Sequence, residues 1–249
     1  MKISVVTVCR NAASTIGYAL ESFFAQRHAD KELIIVDGDS TDKTLKVIGS
    51  FPTDGVTLIS EPDRGLYDAM NKGLAAFTGE AVGFLNADDR FADELALSTL
   101  ADGLERADIV FGDLDFVASH RPRQVVRRWR TGPYVRGAFR RGWMPAHPTF
   151  YCRRQVVEAV GAFDLRYRTA ADYDYMLRSL ELRDFKAAAI GRVLVDMQHG
   201  GRSSAGLRAS IHHNLEALDS RRRRLGAGLV DYALFAKPLG KIRQLTNLA

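Results

Sequence analysis

Short apolar runs alternate with segments of helical period through the first half of this chain, and that alternation restricts the fold more than any other feature. Ile3 to Val8 reads as a strand, and Ser14 to Ala25 as a helix with Ile16, Leu20, Phe23 and Phe24 on one face. Further strands are predicted over Glu32 to Val36, Val56 to Ile59, Ala81 to Leu85 and Ile109 to Phe111. Helices fall between them. One is capped by Ser40 and Thr41 and carries Leu45, Val47 and Ile48. One places Leu66, Met70 and Leu74 at i, i+4 and i+8. One covers Leu95 to Leu104. Strand followed by helix, repeated, predicts a mostly parallel, doubly wound α/β sheet with helices on both faces.

The pattern changes near residue 118. Residues 118–148 are rich in Arg, Gly and Pro and lack a clear period, so they read as an irregular excursion over the sheet. Regular structure resumes with a strand over Thr149 to Cys152, a helix over Asp172 to Leu182 and a strand over Val193 to Met197. A long helix over Leu207 to Arg224 precedes a tail with apolar groups at Leu225, Leu229, Ala233, Leu239 and Ile242. The 249 residues suit one large domain with an appendage. Only Cys9 and Cys152 occur, which argues against a disulfide framework and for a reducing cytoplasm. No apolar stretch approaches the roughly 20 residues needed to span a bilayer. No Gly-x-Gly-x-x-Gly follows the first strand, which argues against a dinucleotide-binding dehydrogenase.

Polar residues gather where predicted strands end, the edge at which such sheets bind ligands. The sharpest case is Phe84-Leu85-Asn86-Ala87-Asp88-Asp89, an amide and two acids directly after a buried strand. Adjacent carboxylates are costly to desolvate without a partner. Their oxygens suit Mg²⁺ or Mn²⁺, and such a cation would hold a phosphorylated ligand. The bland alternative is that they cap a helix at Phe91. Asp37 ends the second strand and is placed to accept hydrogen bonds from a base or ribose, whereas Asp39, Ser40 and Asp42 read as helix caps. Arg64 suits a base or a phosphate, or is simply solvated. Asp68 and Lys72, spaced i, i+4, suit pairing with each other, and Asn71 lies between them. Asp172, preceded by Ala170 and Ala171, is a candidate general base with room for a substrate, or else an N-cap. His199, between a strand end and two glycines, either ligates a metal, touches a phosphate or is structural, and His147 is equally ambiguous.

Taken in order, these segments resemble the inverting glycosyltransferases of family 2, which have the GT-A fold. Val5 to Ala12 is similar to the opening strand and nucleotide loop, and Ile34 to Asp42 to the Asp-rich second loop. Gly65 to Gly73 is similar to a segment of the subgroup that builds bacterial surface polysaccharides. Asn86-Ala87-Asp88-Asp89 stands in place of the metal-binding Asp-x-Asp motif, Ala171 to Asp174 resembles the catalytic-base segment, and Gly200-Gly201 with Ser203 resembles a later loop. Two departures stand out: Asn86 replaces the first acid of the motif, and Ala171 replaces a frequent Glu.

The resemblance implies a Rossmann-like, mostly parallel sheet of GT-A type over residues 1–205, divided into a nucleotide-sugar half (1–117) and an acceptor half (118–205). A C-terminal helical extension (206–249) follows. It further implies that Thr7, Cys9, Asn11, Asp37, Arg64, Asp68, Asn71, Lys72, Asn86 and Ala87 bind a nucleotide diphosphate sugar. Asp88 and His199 would hold Mg²⁺ or Mn²⁺, and Asp172 would act as base on an acceptor hydroxyl of a glycan or lipid-linked intermediate.

Arg121 to Arg141, with Trp129 and Trp143, are expected to overhang the site or to be a solvated loop. Arg221 to Arg224 are expected to touch an anionic membrane surface, or else to form the charged outer face of a packed helix. The expected location is the cytoplasm, with peripheral attachment to the membrane. Nucleic acid is not an expected partner, because the basic clusters lack a recognition motif. Two other readings compete. Asp37-Gly38-Asp39-Ser40-Thr41 also matches the nucleophile loop of haloacid dehalogenase-like phosphohydrolases, and a non-catalytic nucleotide-binding module would use the same strand ends.

Overall fold

The computed structural model describes residues 1–200, 206–226 and 228. Gly201, Ser203 and the tail positions from Leu229 onward lie outside the described residues, as does any expectation placed on them. Nine strands are described: β1 (Ile3–Cys9), β2 (Lys31–Asp37), β3 (Val56–Ser60), β4 (Ala81–Phe84), β5 (Arg90–Phe91), β6 (Ile109–His120), β7 (Arg123–Trp129), β8 (Tyr151–Arg153) and β9 (Ala187–Gln198). The helices are α1 (Ile16–Phe24), α2 (Thr44–Ile48), α3 (Leu66–Ala76), α4 (Ala96–Leu104), α5 (Arg154–Val160), α6 (Ala171–Glu181) and α7 (Gly206–Leu225).

The strands form one sheet in the order β3-β2-β1-β4-β8-β6-β9-β5, with β7 paired to the outer half of β6. β1 is parallel to both β2 and β4, and β2 is parallel to β3, so these four strands end at a common edge. β8 runs antiparallel between β4 and β6, which restores β6 and then β9 to the original direction. This is a mixed but mostly parallel GT-A-type sheet, as expected.

Every residue of β1 is buried, because both faces of the sheet are covered. On one face Ile3, Val5, Leu33 and Ile35 pack with Ile16, Leu20 and Phe23 of α1 and Leu97, Leu100 and Leu104 of α4. On the other, Val6, Val8, Ile34 and Val36 pack with Tyr67, Met70 and Leu74 of α3 and with Tyr173, Met176 and Leu177 of α6. The helix that opens with Asp172 therefore shares a face with α3. The buried stripe of α3 starts at Tyr67, since Leu66 is 49% exposed.

Four expectations need correction. Residues 118–129 are not an irregular excursion: β6 runs on to His120 and turns back as β7. Phe91 opens no helix, because Arg90 and Phe91 pair antiparallel with Asp196 and Val195. A two-residue strand has too short a period to be read from sequence. The helix α5, directly after β8, was missed for a similar reason, as only Val156 of it is buried. The Arg221 to Arg224 run is not uniformly an outer face, since Arg222 and Arg223 are exposed but Arg221 is not. Arg221 is buried and donates to the Tyr173 hydroxyl, Arg224 pairs with Asp164 and Asp174, and Arg223 pairs with Asp219.

Gly83 illustrates how tightly the centre is closed. Its partner across the β4–β8 ladder is Tyr151, which is fully buried, and a Cβ on Gly83 would sit 2.4 Å from that ring. Gly83→Ala is therefore expected to cost about 1–3 kcal/mol by overpacking. Thermal unfolding would show a Tm lowered by several degrees, partly recovered when Tyr151→Leu is added.

Candidate active site

The ends of β1 and β2 are laced together by their loops. Asn11 adopts the left-handed conformation (φ 53°). Its side-chain oxygen accepts from the Thr41 amide at 2.9 Å, and its own amide donates to the Ser40 hydroxyl at 2.8 Å. Asp37 is completely buried. Its carboxylate accepts from the Ser40 amide (3.0 Å), the Ser60 hydroxyl (2.9 Å), the Cys9 thiol (3.5 Å) and the Ser40 hydroxyl. Burial works against the ionised form, but these donors outweigh it and hold the carboxyl below its usual range. Burial first, and then the Asp37 charge, push the Cys9 thiol up, so Cys9 is an inert donor. A carboxylate so enclosed is a frame for the pocket. It is not an accessible nucleophile, which removes the phosphohydrolase reading. Thr7 is the contrasting case, buried with no partner for its hydroxyl among the described residues.

The loop after β3 differs from expectation in its pairings. Asp68 pairs with Arg64 at 2.9 Å, and Lys72 pairs with Glu61 at 2.8 Å, so Asp68 and Lys72 do not pair with each other. Arg64 is 79% exposed on its side chain. Asp63, not singled out from the sequence, reaches the Asp37 corner: a Cβ on Gly38 would lie 2.1 Å from its carboxylate oxygen. Asn71 spends both ends of its amide on Phe163, donating to the carbonyl at 3.0 Å and accepting from the amide at 2.8 Å.

The two acids after β4 are sorted by their surroundings. Asp89 is fully buried and accepts from the Asn86 amide group at 2.8 Å and from the Gln198 backbone at 3.2 Å. Burial, and then the neighbouring Asp88 charge, drive its pKa well up. Asp89 with Asn86 thus braces the loop against the end of β9. Asp88 is half-buried and its pKa is raised by burial, with the His120 charge opposing, and its carboxylate makes no hydrogen bond or ion pair with another side chain among the described residues. Its carbonyl accepts from Nε2 of His120 at 2.9 Å. That bond requires a proton on Nε2, and the buried Nδ1 has no hydrogen-bond partner among the described residues. His120, at the end of β6, was missed from the sequence because nothing local marks a residue whose partner lies 32 positions away. Ala87 is buried in the core. His199 is exposed and follows Gln198, which touches Asp89. Among the described residues no group of three or more His, Cys, Asp or Glu side chains is assembled for a metal.

Asp172 lies in the first turn of α6. One of its oxygens, Oδ1, accepts from the Tyr67 hydroxyl at 2.9 Å and from the Tyr173 amide at 2.8 Å. No hydrogen bond to Oδ2 is made among the described residues. Burial, then the Asp172 charge, push the Tyr67 phenol well above its ordinary value, so it stays a donor. Ala170 and Ala171 are fully buried and leave no bulk at the helix start. Rings connect α6 and α3 to β4: Phe163 lies 4.6 Å from Tyr175 of α6, 5.7 Å from Tyr67 of α3 and 5.3 Å from Phe84. His147 stacks on Phe84 at 5.3 Å. Burial lowers its pKa despite the opposing Asp172 charge, so the ring is neutral.

The basic stretch before it is largely paired. Arg123 bridges Asp115 and Asp196, Arg130 pairs with Asp115, and Arg121 with Glu21. Trp143 donates to the Thr131 carbonyl at 2.8 Å within an aromatic cluster, and Trp129 stacks on Phe116.

Comparison with known proteins agrees with this arrangement. The family model for glycosyl transferase family 2 matches residues 4–161, more than half of the chain. A PGL/p-HBAD biosynthesis glycosyltransferase of Mycobacterium tuberculosis is 34% identical over 182 residues, covering 70% of this chain and 68% of that one. Among solved structures, S. aureus TarS 1–349 superposes with a TM-score of 0.70 at 18% identity, over 100% of this chain and 73% of that chain. The mannosyltransferase PcManGT from Pyrobaculum calidifontis, solved with GDP-Man and Mn²⁺, gives 0.67 at 20% identity, over 100% and 70%. The ordered strand-end motifs, the fold they build and these matches agree: the chain belongs to glycosyltransferase family 2.

Proposed function

We propose that this glycosyltransferase moves a sugar from a nucleotide diphosphate sugar to an acceptor hydroxyl with inversion at the anomeric carbon. The observation that carries the reading is the state of Asp172, whose Oδ1 is fixed by Tyr67 and the Tyr173 amide while Oδ2 is left to accept a proton. Inversion needs one base and no enzyme nucleophile, and a single, oriented carboxylate meets that need.

The nucleoside would lie over the ends of β1, β2 and β3, where Thr7 supplies the unpartnered hydroxyl and Asn11 and Asp37 hold the loops in shape. Arg64, at the rim, would meet a base or a phosphate. The half-buried, unpartnered carboxylate of Asp88 fits a hard divalent cation, which usually takes only one or two carboxylates and fills its shell with phosphate oxygens and water. Mg²⁺ or Mn²⁺ there would neutralise charge on the departing diphosphate. His120 would fix the Asp88 backbone for that purpose, and His199, adjacent to the loop, is the second candidate ligand. The acceptor hydroxyl would be held against Asp172 Oδ2 and would lose its proton there as it attacks the face opposite the leaving group. The developing oxocarbenium character follows glycoside hydrolysis by analogy.

The mycobacterial relative's name supports a surface glycan or lipid-linked acceptor. Such an acceptor would be met in the cytoplasm at the membrane face, and among the described residues no helix is long and apolar enough to cross a membrane. Arg222 and Arg223, the latter paired with Asp219, are the exposed part of the Arg221 to Arg224 run.

Incubation with a panel of UDP- and GDP-sugars and Mg²⁺ or Mn²⁺ is expected to release nucleoside diphosphate from one of them, and release of inorganic phosphate alone would refute the transferase. The coupling constant of the product's anomeric proton should report the configuration opposite to the donor's. Asp172→Asn is expected to lower kcat by at least about 10²-fold with donor affinity retained, and near-normal turnover would remove the base assignment. Asp88→Ala should weaken metal-dependent donor binding in titration calorimetry; an unchanged affinity would count against the cation site.

A further inference from the structure

The helix that carries Asp172 has no side-chain N-cap of its own. Its entry segment is held from outside by Glu216, which lies on α7, beyond the part of the chain that the family model matches. Glu216 Oε1 accepts from the Arg168 amide at 2.9 Å. Oε2 accepts from the Thr169 amide (2.8 Å), the Thr169 hydroxyl (2.8 Å) and the Ala170 amide (2.9 Å). Three successive backbone N–H groups immediately before α6 are thus satisfied by a single carboxylate 46 residues downstream of the last of them. Burial disfavours the ionised form, but the donors outweigh it and hold Glu216 charged.

α7 is itself locked to the same segment. Ser220 and Arg224 donate to buried Asp174 at 2.9 and 3.1 Å. Tyr167 donates to Asp219 at 3.0 Å, and a ring nitrogen of His213 donates to the Thr169 carbonyl at 2.8 Å. Buried Arg221 donates to the Tyr173 hydroxyl at 3.0 Å. Bonds from α7 therefore reach both sides of Asp172: residues 168–170 before it, and residues 173 and 174 after it. The Asp172 side chain itself is tied to another element, among the described residues, by the hydrogen bond from the Tyr67 hydroxyl on α3.

We propose that Glu216 is a positioning residue for Asp172, pinning the segment that leads into α6 so that the free carboxylate oxygen meets the acceptor hydroxyl. The proposal rests on the reading of Asp172 as the base. The physical reason for a large effect is that proton transfer depends steeply on placement, and a shift of about 1 Å can cost on the order of 10²-fold. The three amides do not orient Asp172 by contact. They fix the backbone from which its side chain projects, between α7 on one side and Tyr67 on the other.

The test compares Glu216→Ala and the near-isosteric Glu216→Gln with the wild type in kcat, in dissociation constant for the nucleoside diphosphate of the accepted donor, and in Tm. Glu216→Ala is expected to lower kcat by about 10-fold or more with nucleotide affinity within about twofold. Glu216→Gln, which keeps an acceptor oxygen, is expected to lie between it and the wild type. Adding Glu216→Ala to Asp172→Asn should slow the enzyme little further, because the effect passes through Asp172. A lowered Tm with kcat unchanged would overturn the proposal and leave a stabilising staple. Loss of nucleotide affinity in parallel with kcat, in both variants, would also overturn it. Normal turnover in Asp172→Asn would instead sink the base reading, whatever Glu216→Ala does.

Discussion

The burial of β1 on all sides is the constraint on which the rest depends. A strand flanked by parallel neighbours and covered on both faces has one place for polar residues, the ends. β1, β2, β3 and β4 point the same way, so Thr7, Asn11, Asp37, Ser60 and Asp88 collect at one rim although up to 81 residues separate them. Helices on the second face add further polar groups. α3 brings Tyr67 and α6 brings Asp172, and both are held against the sheet by the same apolar cluster.

The acids at the strand ends and at the start of α6 divide into those enclosed by donors and those with an oxygen left free. Asp37 and Asp89 are buried and fully engaged by donors from neighbouring loops. Among the described residues Asp88 and Asp172 keep carboxylate oxygens without a side-chain hydrogen-bond partner from the rest of the chain, except Tyr67 on Asp172 Oδ1, one acid lying after β4 and one at the start of α6. The cost of desolvating a carboxylate makes this division physical: an enclosed acid must be bonded to survive, whereas a half-buried acid held by its backbone or by one oxygen can meet a ligand. The opposite signs of the shifts at Asp37 and Asp89 arise from the same balance. At Asp37 hydroxyl and amide donors overcome burial, and at Asp89 burial and the neighbouring charge of Asp88 prevail.

Much of the fold was legible because parallel strands buried on both faces read as apolar runs and their helices carry a regular period. Ile3 to Val8 and the α1 stripe at Ile16, Leu20 and Phe23 are of this kind. Legibility failed where an element owes its existence to a distant partner. β5 is two residues long and exists because β9 lies beside it. β7 is composed largely of arginine, valine and tryptophan and is a strand because β6 extends far enough to pair with it. The pairings of Asp68 and Lys72 went the same way: helical spacing suggested that they join each other, but Arg64 and Glu61, on the loop before the helix, lie closer.

The sequence by itself determined the alternating architecture, the strand-end acids and membership of the family, because those depend on residue type and order along short segments. Only the tertiary structure decided which acid of the Asp88-Asp89 pair is buried, that Tyr67 bonds Asp172 and His120 the Asp88 carbonyl, and that Arg221 is enclosed while Arg224 pairs with Asp164 and Asp174. It also decided that α7 grips the start of α6 through Glu216. Each of these is a matter of burial and of partners far apart in the chain, and no local pattern of residues encodes what will lie across from it.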